Sequence, residues 1–243
     1  MSGGKAAVDP QVPVFEVVPA FEEEVLPPSH PGPVVRAVLD GGSPQGRELR
    51  LLAARLRALG RDKRLRRIGV VGATLGEGTS TTALGFAAAL AADRRDRVLL
   101  LELDRSRPSL DRALGLDPPS VGLGEYLDRR GENPVLRRPS GTFWLLSAGA
   151  PAGSPALSPG RLASLFRATD RVFDTVIADF APLLAGELTA ALQDLVDGFV
   201  LVVRSRHAPR HEILRAASLL RPGGVVGLVL NAQRDPRRRR RAP

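Results

Sequence analysis

Short apolar runs alternate with helical patterns over most of the 243-residue chain. We predict strands at the apolar runs Ile68–Val71, Arg97–Leu103, Phe143–Leu146, Thr175–Ala178, Phe199–Val203 and Val225–Leu230. We predict helices between them at Ser80–Ala92, Pro159–Thr169 and Arg210–Leu220. Buried runs separated by helices indicate βαβ units, in which a parallel sheet is covered on both faces. The sequence therefore predicts an α/β fold with a mostly parallel central sheet and helices on both faces.

The two ends of the chain differ from this alternating region. Residues 1–45 are rich in proline and glycine and show little periodicity, so we predict a disordered or loosely attached segment. Leucines spaced three and four apart after Arg47 predict an amphipathic helix that stops at Gly60. Residues 233–243 carry the run Arg237–Arg241 and are predicted to be a basic, disordered tail. The predicted folded domain therefore spans residues 46–232.

Composition and charge exclude several classes of protein. The chain has no cysteine, which excludes disulfide, thiolate and cysteine–zinc chemistry. The sequence shows neither a secretion signal nor an apolar run of the ~18–20 residues that span a membrane, so we expect a cytoplasmic protein. The formal net charge of +9 suits nucleic acid or anionic lipid. Because the arginine run lies in the tail, nucleic acid is the less favoured partner, and a peripheral position at the inner membrane face is predicted instead.

The segment 72–83, GATLGEGTSTTA, follows the first predicted strand and opens a helix. A phosphate-binding loop requires Gly or Ala, four residues, and then Gly-Lys-Ser/Thr at this position. Ala73 begins the pattern, and backbone N–H groups and the helix dipole would then face an anion. Taken alone, the segment also fits a glycine-containing turn that binds nothing. The candidate nucleotide-binding residues are Gly76, Glu77, Gly78, Thr79, Ser80 and Thr81.

Two carboxylates follow predicted strands that run parallel to the first. Asp104 lies after the second strand, in LLLELDRSRP, and Asp179 ends a later strand, in TVIADFAP. The carboxyl ends of parallel strands gather at one edge of a sheet, so both acids can approach phosphates held by the loop. Magnesium bound to phosphate takes one or two carboxylates from the protein. We therefore predict a magnesium site formed by Ser80, Asp104 and Asp179.

These motifs resemble the cytoplasmic domain of bacterial tyrosine kinases of the capsule and exopolysaccharide type, within the MinD/ParA group of P-loop ATPases. The resemblance covers roughly residues 43–231 and includes SPQGRELRLLAARL, GATLGEGTSTTA, LLLELDRSRPSL, GLGEYL, LLSAGAPAGSPALS, VIADFAPLLA and GLVLN. It implies a P-loop fold, ATP with Mg²⁺, tyrosine transphosphorylation and self-association in a ring. It also implies a membrane-bound polysaccharide co-polymerase or activator as partner, and control of polysaccharide length or export.

By the same resemblance, Glu102 and Asp104 are the candidate catalytic acids, and Asn231 would approach the adenine. An amide can both donate to and accept from a base, although a turn-forming asparagine after a strand fits Asn231 equally well.

The chain departs from the family pattern at several positions. Thr79 replaces the loop lysine, and neither Lys5 nor Lys63 is placed to substitute for it. Glu102 replaces the first aspartate of the second motif, and the tyrosine-rich C-terminal tail of the family is absent. Loss of one charged hydrogen bond to phosphate weakens binding by roughly one to two powers of ten. Loss of a preorganised donor costs about 10²–10³ in rate.

We therefore predict an ATP-binding, tyrosine-kinase-like protein of exopolysaccharide or capsule biosynthesis and export, with weakened or lost kinase activity. A non-catalytic regulatory or scaffold protein that binds the membrane co-polymerase is the first alternative. A MinD/ParA-type partition ATPase is the second.

Overall fold

The fold is given by a computed structural model, which describes residues 22–26, 32–40, 43–63, 65–92, 95–128, 133–149, 159–185, 189 and 192–232. The strands in these ranges are β1 (Glu22–Val25), β2 (Arg67–Gly72), β3 (Val98–Glu102), β4 (Val135–Ser140), β5 (Phe143–Leu146), β6 (Thr175–Asp179), β7 (Gly198–Arg204) and β8 (Val225–Asn231). The helices are α1 (Pro33–Leu39), α2 (Pro44–Lys63), α3 (Thr79–Ala91), α4 (Leu110–Leu114), α5 (Leu123–Asp128), α6 (Pro159–Thr169) and α7 (Arg210–Ser218), with a short 3₁₀ helix at Gln193–Leu195.

The strands form one sheet in the order β1-β4-β5-β3-β6-β2-β7-β8. Neighbouring strands run parallel except β4 and β5, which are antiparallel. The carboxyl ends of β2, β3, β6, β7 and β8 therefore gather at one edge of the sheet, where ligands bind in open α/β folds. The predicted α/β class with a mostly parallel sheet is confirmed.

Two apolar clusters, one on each face of the sheet, form the core. On one face, α1, α2 and α3 cover the sheet with side chains that include Val35, Leu56 and Phe86. On the other face, α5, α6 and α7 contribute Leu123, Phe166 and Ala216 among others. Helix α3 is built from small residues (TSTTALGFAAALA), which let it lie close to the strands. Helices therefore cover both faces, as predicted.

The predicted boundary at residue 46 is wrong for part of the N-terminal segment. Strand β1 pairs with β4, and helix α1 buries Val35 and Val38, so residues 22–26 and 32–40 belong to the folded domain. The sequence EEEV does not look like a strand, because its glutamates form ion pairs with residues of β4. Glu24 Oε2 lies 2.9 Å from Arg137 Nε, and Glu23 Oε1 lies 2.8 Å from Arg138 Nε. The remaining residues of the 1–45 segment that are outside the described ranges, and the tail 233–243, are not covered by the structure.

The prediction that the long helix stops at Gly60 is also wrong, because α2 continues to Lys63. An interior glycine costs a helix only about 1 kcal/mol, and tertiary contacts offset this cost. Arg57 ties α2 to the loop after α3 through hydrogen bonds of 3.1 and 2.9 Å to the Asp96 carboxylate. None of the helices in the described ranges combines the length and the apolar character needed to cross a bilayer.

Candidate functional site: a phosphate loop and three acids at one sheet edge

The loop between β2 and α3 adopts the open, glycine-dependent shape of a phosphate cradle. Gly76 and Gly78 have φ angles of +82° and +86°, a region that favours glycine. A Cβ atom at residue 78 would lie 2.1 Å from Asn231 Nδ2, so no other residue fits there without a shift. The two glycines of the predicted motif are therefore required by backbone geometry.

The first turn of α3 leaves backbone donors open at the end of this loop. Gly78 caps the helix without a side-chain hydrogen bond, and the first helical bond runs from Thr82 N–H to the Gly78 carbonyl at 3.0 Å. The N–H groups of Thr79, Ser80 and Thr81 precede that bond, so they have no acceptor within the helix. These three residues offer donors and a positive helix dipole to an anion.

Glu77 lies inside the protein, although the sequence placed it in the nucleotide-binding loop. Its side chain is fully buried, and its Oε1 accepts a hydrogen bond of 3.0 Å from the Thr74 hydroxyl. Its Oε2 accepts a hydrogen bond from the backbone N–H of Arg204, at the end of β7. Glu77 therefore attaches the loop to the sheet by its carboxylate, and only its backbone is left to face a ligand.

Three side chains, from the end of β7, the turn after it and the end of β8, donate hydrogen bonds to the loop carbonyls. His207 Nε2 donates to the Leu75 carbonyl at 2.6 Å, and Arg204 Nη1 donates to the Gly76 carbonyl at 3.1 Å. Asn231 Nδ2 donates to the Glu77 carbonyl at 2.8 Å, while its Oδ1 accepts from Ala232 N–H at 2.8 Å. The side-chain amide of Asn231 is thus engaged with the loop, where the resemblance had placed it near an adenine.

Asp179 lies at the end of β6 with no access to water. It pairs side by side with Glu102 of β3 in the sheet, and neither of its oxygens has a hydrogen-bond partner among the described residues. Burial raises the pKa of Asp179 well above its ordinary value, and the charges of Glu102 and Asp104 raise it further, while the nearby Ser80 side chain partly offsets the shift. A buried carboxylate without a partner is costly, so this position suits a cation.

Glu102 and Asp104, predicted together as catalytic acids, are placed differently. Glu102 Oε1 accepts from Ser109 and Leu110 N–H at 2.6 and 2.9 Å, and Oε2 accepts from Ala148 N–H at 3.0 Å. The Glu102 carboxylate is therefore saturated by backbone donors at the start of α4 and after β5. Burial raises the pKa of Glu102, and those three backbone hydrogen bonds oppose the increase.

Asp104 lies in the loop after β3 and is partly exposed. Its Oδ1 accepts hydrogen bonds from Ser106 Oγ at 2.6 Å and from the Ser106 and Arg107 N–H groups at 3.2 Å. Among the described residues none donates to Oδ2, so one oxygen of Asp104 remains open beside the buried Asp179. Of the two acids, Asp104 has the geometry of a ligand and Glu102 that of a structural anchor.

No protein-family model matches the chain. The chain is 27% identical over 179 residues to the tyrosine-protein kinase YwqD of Bacillus subtilis (strain 168), a match that covers 71% of the chain and 75% of YwqD. The solved BceF tyrosine kinase domain is 29% identical, with a TM-score of 0.68 and 81% of each chain covered. In sequence and fold the chain is thus similar to bacterial tyrosine kinase domains, as the motifs predicted.

Two further solved structures share the fold of this chain. The kinase domain of the Escherichia coli tyrosine kinase ETK gives a TM-score of 0.73 at 23% identity, covering 83% of the chain and 82% of the ETK domain. MinD of Pyrococcus horikoshii OT3, complexed with Mg-ADP, gives a TM-score of 0.59 at 20% identity over 71% and 72% of the two chains. The P-loop fold predicted from the sequence is confirmed.

The sequence missed Arg204 and His207 as residues of the site. His207 and His211 are four residues apart, and His207 binds the loop while His211 lies exposed on α7. The position of Arg204 at the end of β7 could have indicated its role, because the ends of the parallel strands lie at the same sheet edge as the loop. Among the described residues, no group of three or more His, Asp or Glu side chains is arranged to hold a metal ion by itself.

Proposed function

We propose that this chain is an ATP-binding, tyrosine-kinase-like protein that regulates exopolysaccharide or capsule biosynthesis and export, with weakened or lost kinase activity. One observation carries the proposal: the unpartnered, buried Asp179 lies at the same sheet edge as the open N–H groups at the start of α3. Anion donors and a carboxylate in need of a cation are complementary to a magnesium–triphosphate complex.

Mg²⁺ fits the residues at this edge. Asp179 supplies two oxygens that lack other partners, Asp104 supplies one open oxygen, and Ser80 supplies a hydroxyl in the first turn of α3. These three residues would hold the ion, which when bound neutralises charge on the phosphates. The protein contributes the fixed N–H donors of the loop and the exclusion of water around Asp179.

Thr79 stands at the position of the loop lysine and limits the phosphoryl transfer that this site can catalyse. Its side chain lies against Gly72, where a Cβ atom would be 2.7 Å from Thr79 Oγ1, and it carries no charge. A lysine here would add about 1.5–3 kcal/mol of interaction with phosphate. Phosphoryl transfer depends on positioned charge, so binding survives better than catalysis. We therefore infer that nucleotide binding is the activity this site retains.

Calorimetric titration of Mg-ATP into wild-type protein and Thr79→Lys tests the proposal. We expect measurable binding by the wild type and about 10- to 100-fold tighter binding by the lysine variant, because a charged donor joins the existing cradle. Ala58→Lys, which adds the same charge on an exposed position of α2, should leave the affinity unchanged. Absence of binding to wild type and to Thr79→Lys alike would contradict the proposal.

A non-catalytic regulatory or scaffold protein is the second candidate, and the saturated Glu102 carboxylate favours it. In this case the nucleotide pocket serves regulation, and a surface of the domain binds a membrane-bound polysaccharide co-polymerase or associates with further copies of the chain. A phosphotransfer assay on tyrosine-containing peptide polymer with Mg-ATP separates the two candidates. Transfer that Asp179→Asn abolishes supports the kinase, whereas binding without transfer supports the regulator.

A further inference from the structure

Three consecutive carbonyl groups of the loop are each held by a different side chain. The Leu75, Gly76 and Glu77 carbonyls accept hydrogen bonds from His207, Arg204 and Asn231 respectively. The three side chains belong to two separate places in the sequence, the end of β7 with the turn that follows it and the end of β8. We call this set of three bonds the carbonyl lock.

The carbonyl lock determines where the loop N–H groups point. A trans peptide unit is planar, and its C=O and the following N–H point in opposite directions. When the carbonyls of residues 75, 76 and 77 are held on the outside, the N–H groups of Gly76, Glu77 and Gly78 are directed to the inside of the loop. Those are the donors that a phosphate cradle requires.

The buried Glu77 side chain holds the same segment through a second set of hydrogen bonds. Its carboxylate binds the backbone N–H of Arg204 and the hydroxyl of Thr74, so residue 77 is attached to β7 by its side chain and to β8 by its carbonyl. The left-handed glycines on either side, Gly76 and Gly78, would otherwise allow the chain many conformations. The loop is therefore ordered before any anion arrives.

We propose that Arg204, His207 and Asn231 are positioning residues that keep the loop in its anion-binding shape without a loop lysine. This inference rests on the proposed nucleotide binding and identifies how this chain preserves it. A loop that is already ordered loses less conformational entropy when it binds a ligand. The lock thus compensates in part for the charge that Thr79 lacks, and it does so through residues that do not touch the phosphates.

The experiment compares His207→Ala and Asn231→Ala with wild type by two measurements. The first is the ¹⁵N order parameter of residues 76–78 in the ligand-free protein, which should fall from about 0.85, typical of rigid backbone, to below about 0.6. The second is calorimetric affinity for Mg-ATP, which should weaken about threefold to tenfold for each variant, the effect of one neutral hydrogen bond. His207→Gln should restore both values, since its terminal amide donates from a similar position.

His211→Ala is the matched control, because His211 is exposed on α7 four residues from His207. It should change neither measurement. Unchanged order parameters in both alanine variants would overturn the inference, and so would mobility that rises without any loss of affinity. If wild type binds no Mg-ATP, the proposed function fails, while the order parameters in ligand-free protein still decide whether the lock exists. Because His207 is exposed, its alanine variant keeps the test decisive even if Asn231→Ala does not fold.

Discussion

At the scale of single residues, we expect Asp179 to lower the stability of the ligand-free protein and to be required for Mg²⁺-dependent binding of ATP. Its carboxylate is fully buried, and neither oxygen has a hydrogen-bond partner among the described residues, although the Ser80 side chain lies nearby. We expect Asp179→Asn to be more stable than the ligand-free wild type at neutral pH by about 1–3 kcal/mol, because the amide cannot ionise, whereas burial opposes the ionisation of the carboxyl group. The same variant should lose Mg²⁺-dependent stabilisation by ATP. Thermal melts with and without Mg-ATP measure both effects, and lower stability of the variant without ligand would contradict this account of Asp179.

The pH dependence of that difference has a definite sign. The pKa of Asp179 in the folded state lies well above its ordinary value of 3.8, since burial disfavours the charged form. Stability from this group is present in full below pH 3.8 and is lost as pH rises towards the folded-state pKa. The advantage of Asp179→Asn over wild type should therefore be small near pH 4 and grow as pH rises. Melts of both proteins across this range check the direction.

At the scale of elements, Glu102 joins β3 to the start of α4 and to the end of β5. Its three backbone hydrogen bonds, at 2.6, 2.9 and 3.0 Å, leave no carboxylate oxygen unbound. Glu102→Gln places an amide donor against at least one of those N–H groups. We expect a loss of about 1–3 kcal/mol in the free energy of unfolding, the cost of an unsatisfied buried donor.

Urea denaturation measures that loss, with Asp104→Asn as the control. The Asp104 carboxylate accepts its hydrogen bonds in a partly exposed loop. The free energy of unfolding of its amide variant should therefore lie within about 0.5 kcal/mol of the wild-type value. If Glu102→Gln were fully stable and yet bound no Mg-ATP, Glu102 would be a functional acid instead of a structural anchor.

The elements also show what sequence reasoning could recover. Strands β2, β3, β6 and β7 can be recognised in the sequence because both of their faces are buried and their central residues form apolar runs. Strand β8 has a similar apolar run, although much of it is exposed. Strand β1 was missed because two of its three glutamates pair with arginines more than a hundred positions away. The same limit applies at the site: Gly76 and Gly78 reveal themselves by type, whereas the roles of Glu77, Arg204 and His207 depend on contacts between distant parts of the chain.

At the scale of the whole molecule, charge is distributed unevenly. The formal net charge is +9, and the run Arg237–Arg241, outside the described residues, carries five positive charges and begins six positions after the last residue of β8 in the sequence. We propose that this tail attaches the protein to the anionic inner membrane surface, beside the membrane partner. Basic residues near such a surface contribute ~1 kcal/mol each, so the run supplies about 5 kcal/mol, which is enough for weak, salt-sensitive binding.

Deletion of residues 235–243 should therefore release the protein from vesicles that contain phosphatidylserine, in a sedimentation assay at physiological salt. The control is the double variant Arg210→Gln and Arg215→Gln, which removes positive charge from exposed positions of α7 and should retain most of the binding. Raising the salt concentration should weaken wild-type binding, because mobile ions screen surface charge beyond about 10 Å at 0.1 M. Equal vesicle binding by the full chain and the deletion would show that the tail is only a solvated end, and membrane recruitment would then depend on the folded domain.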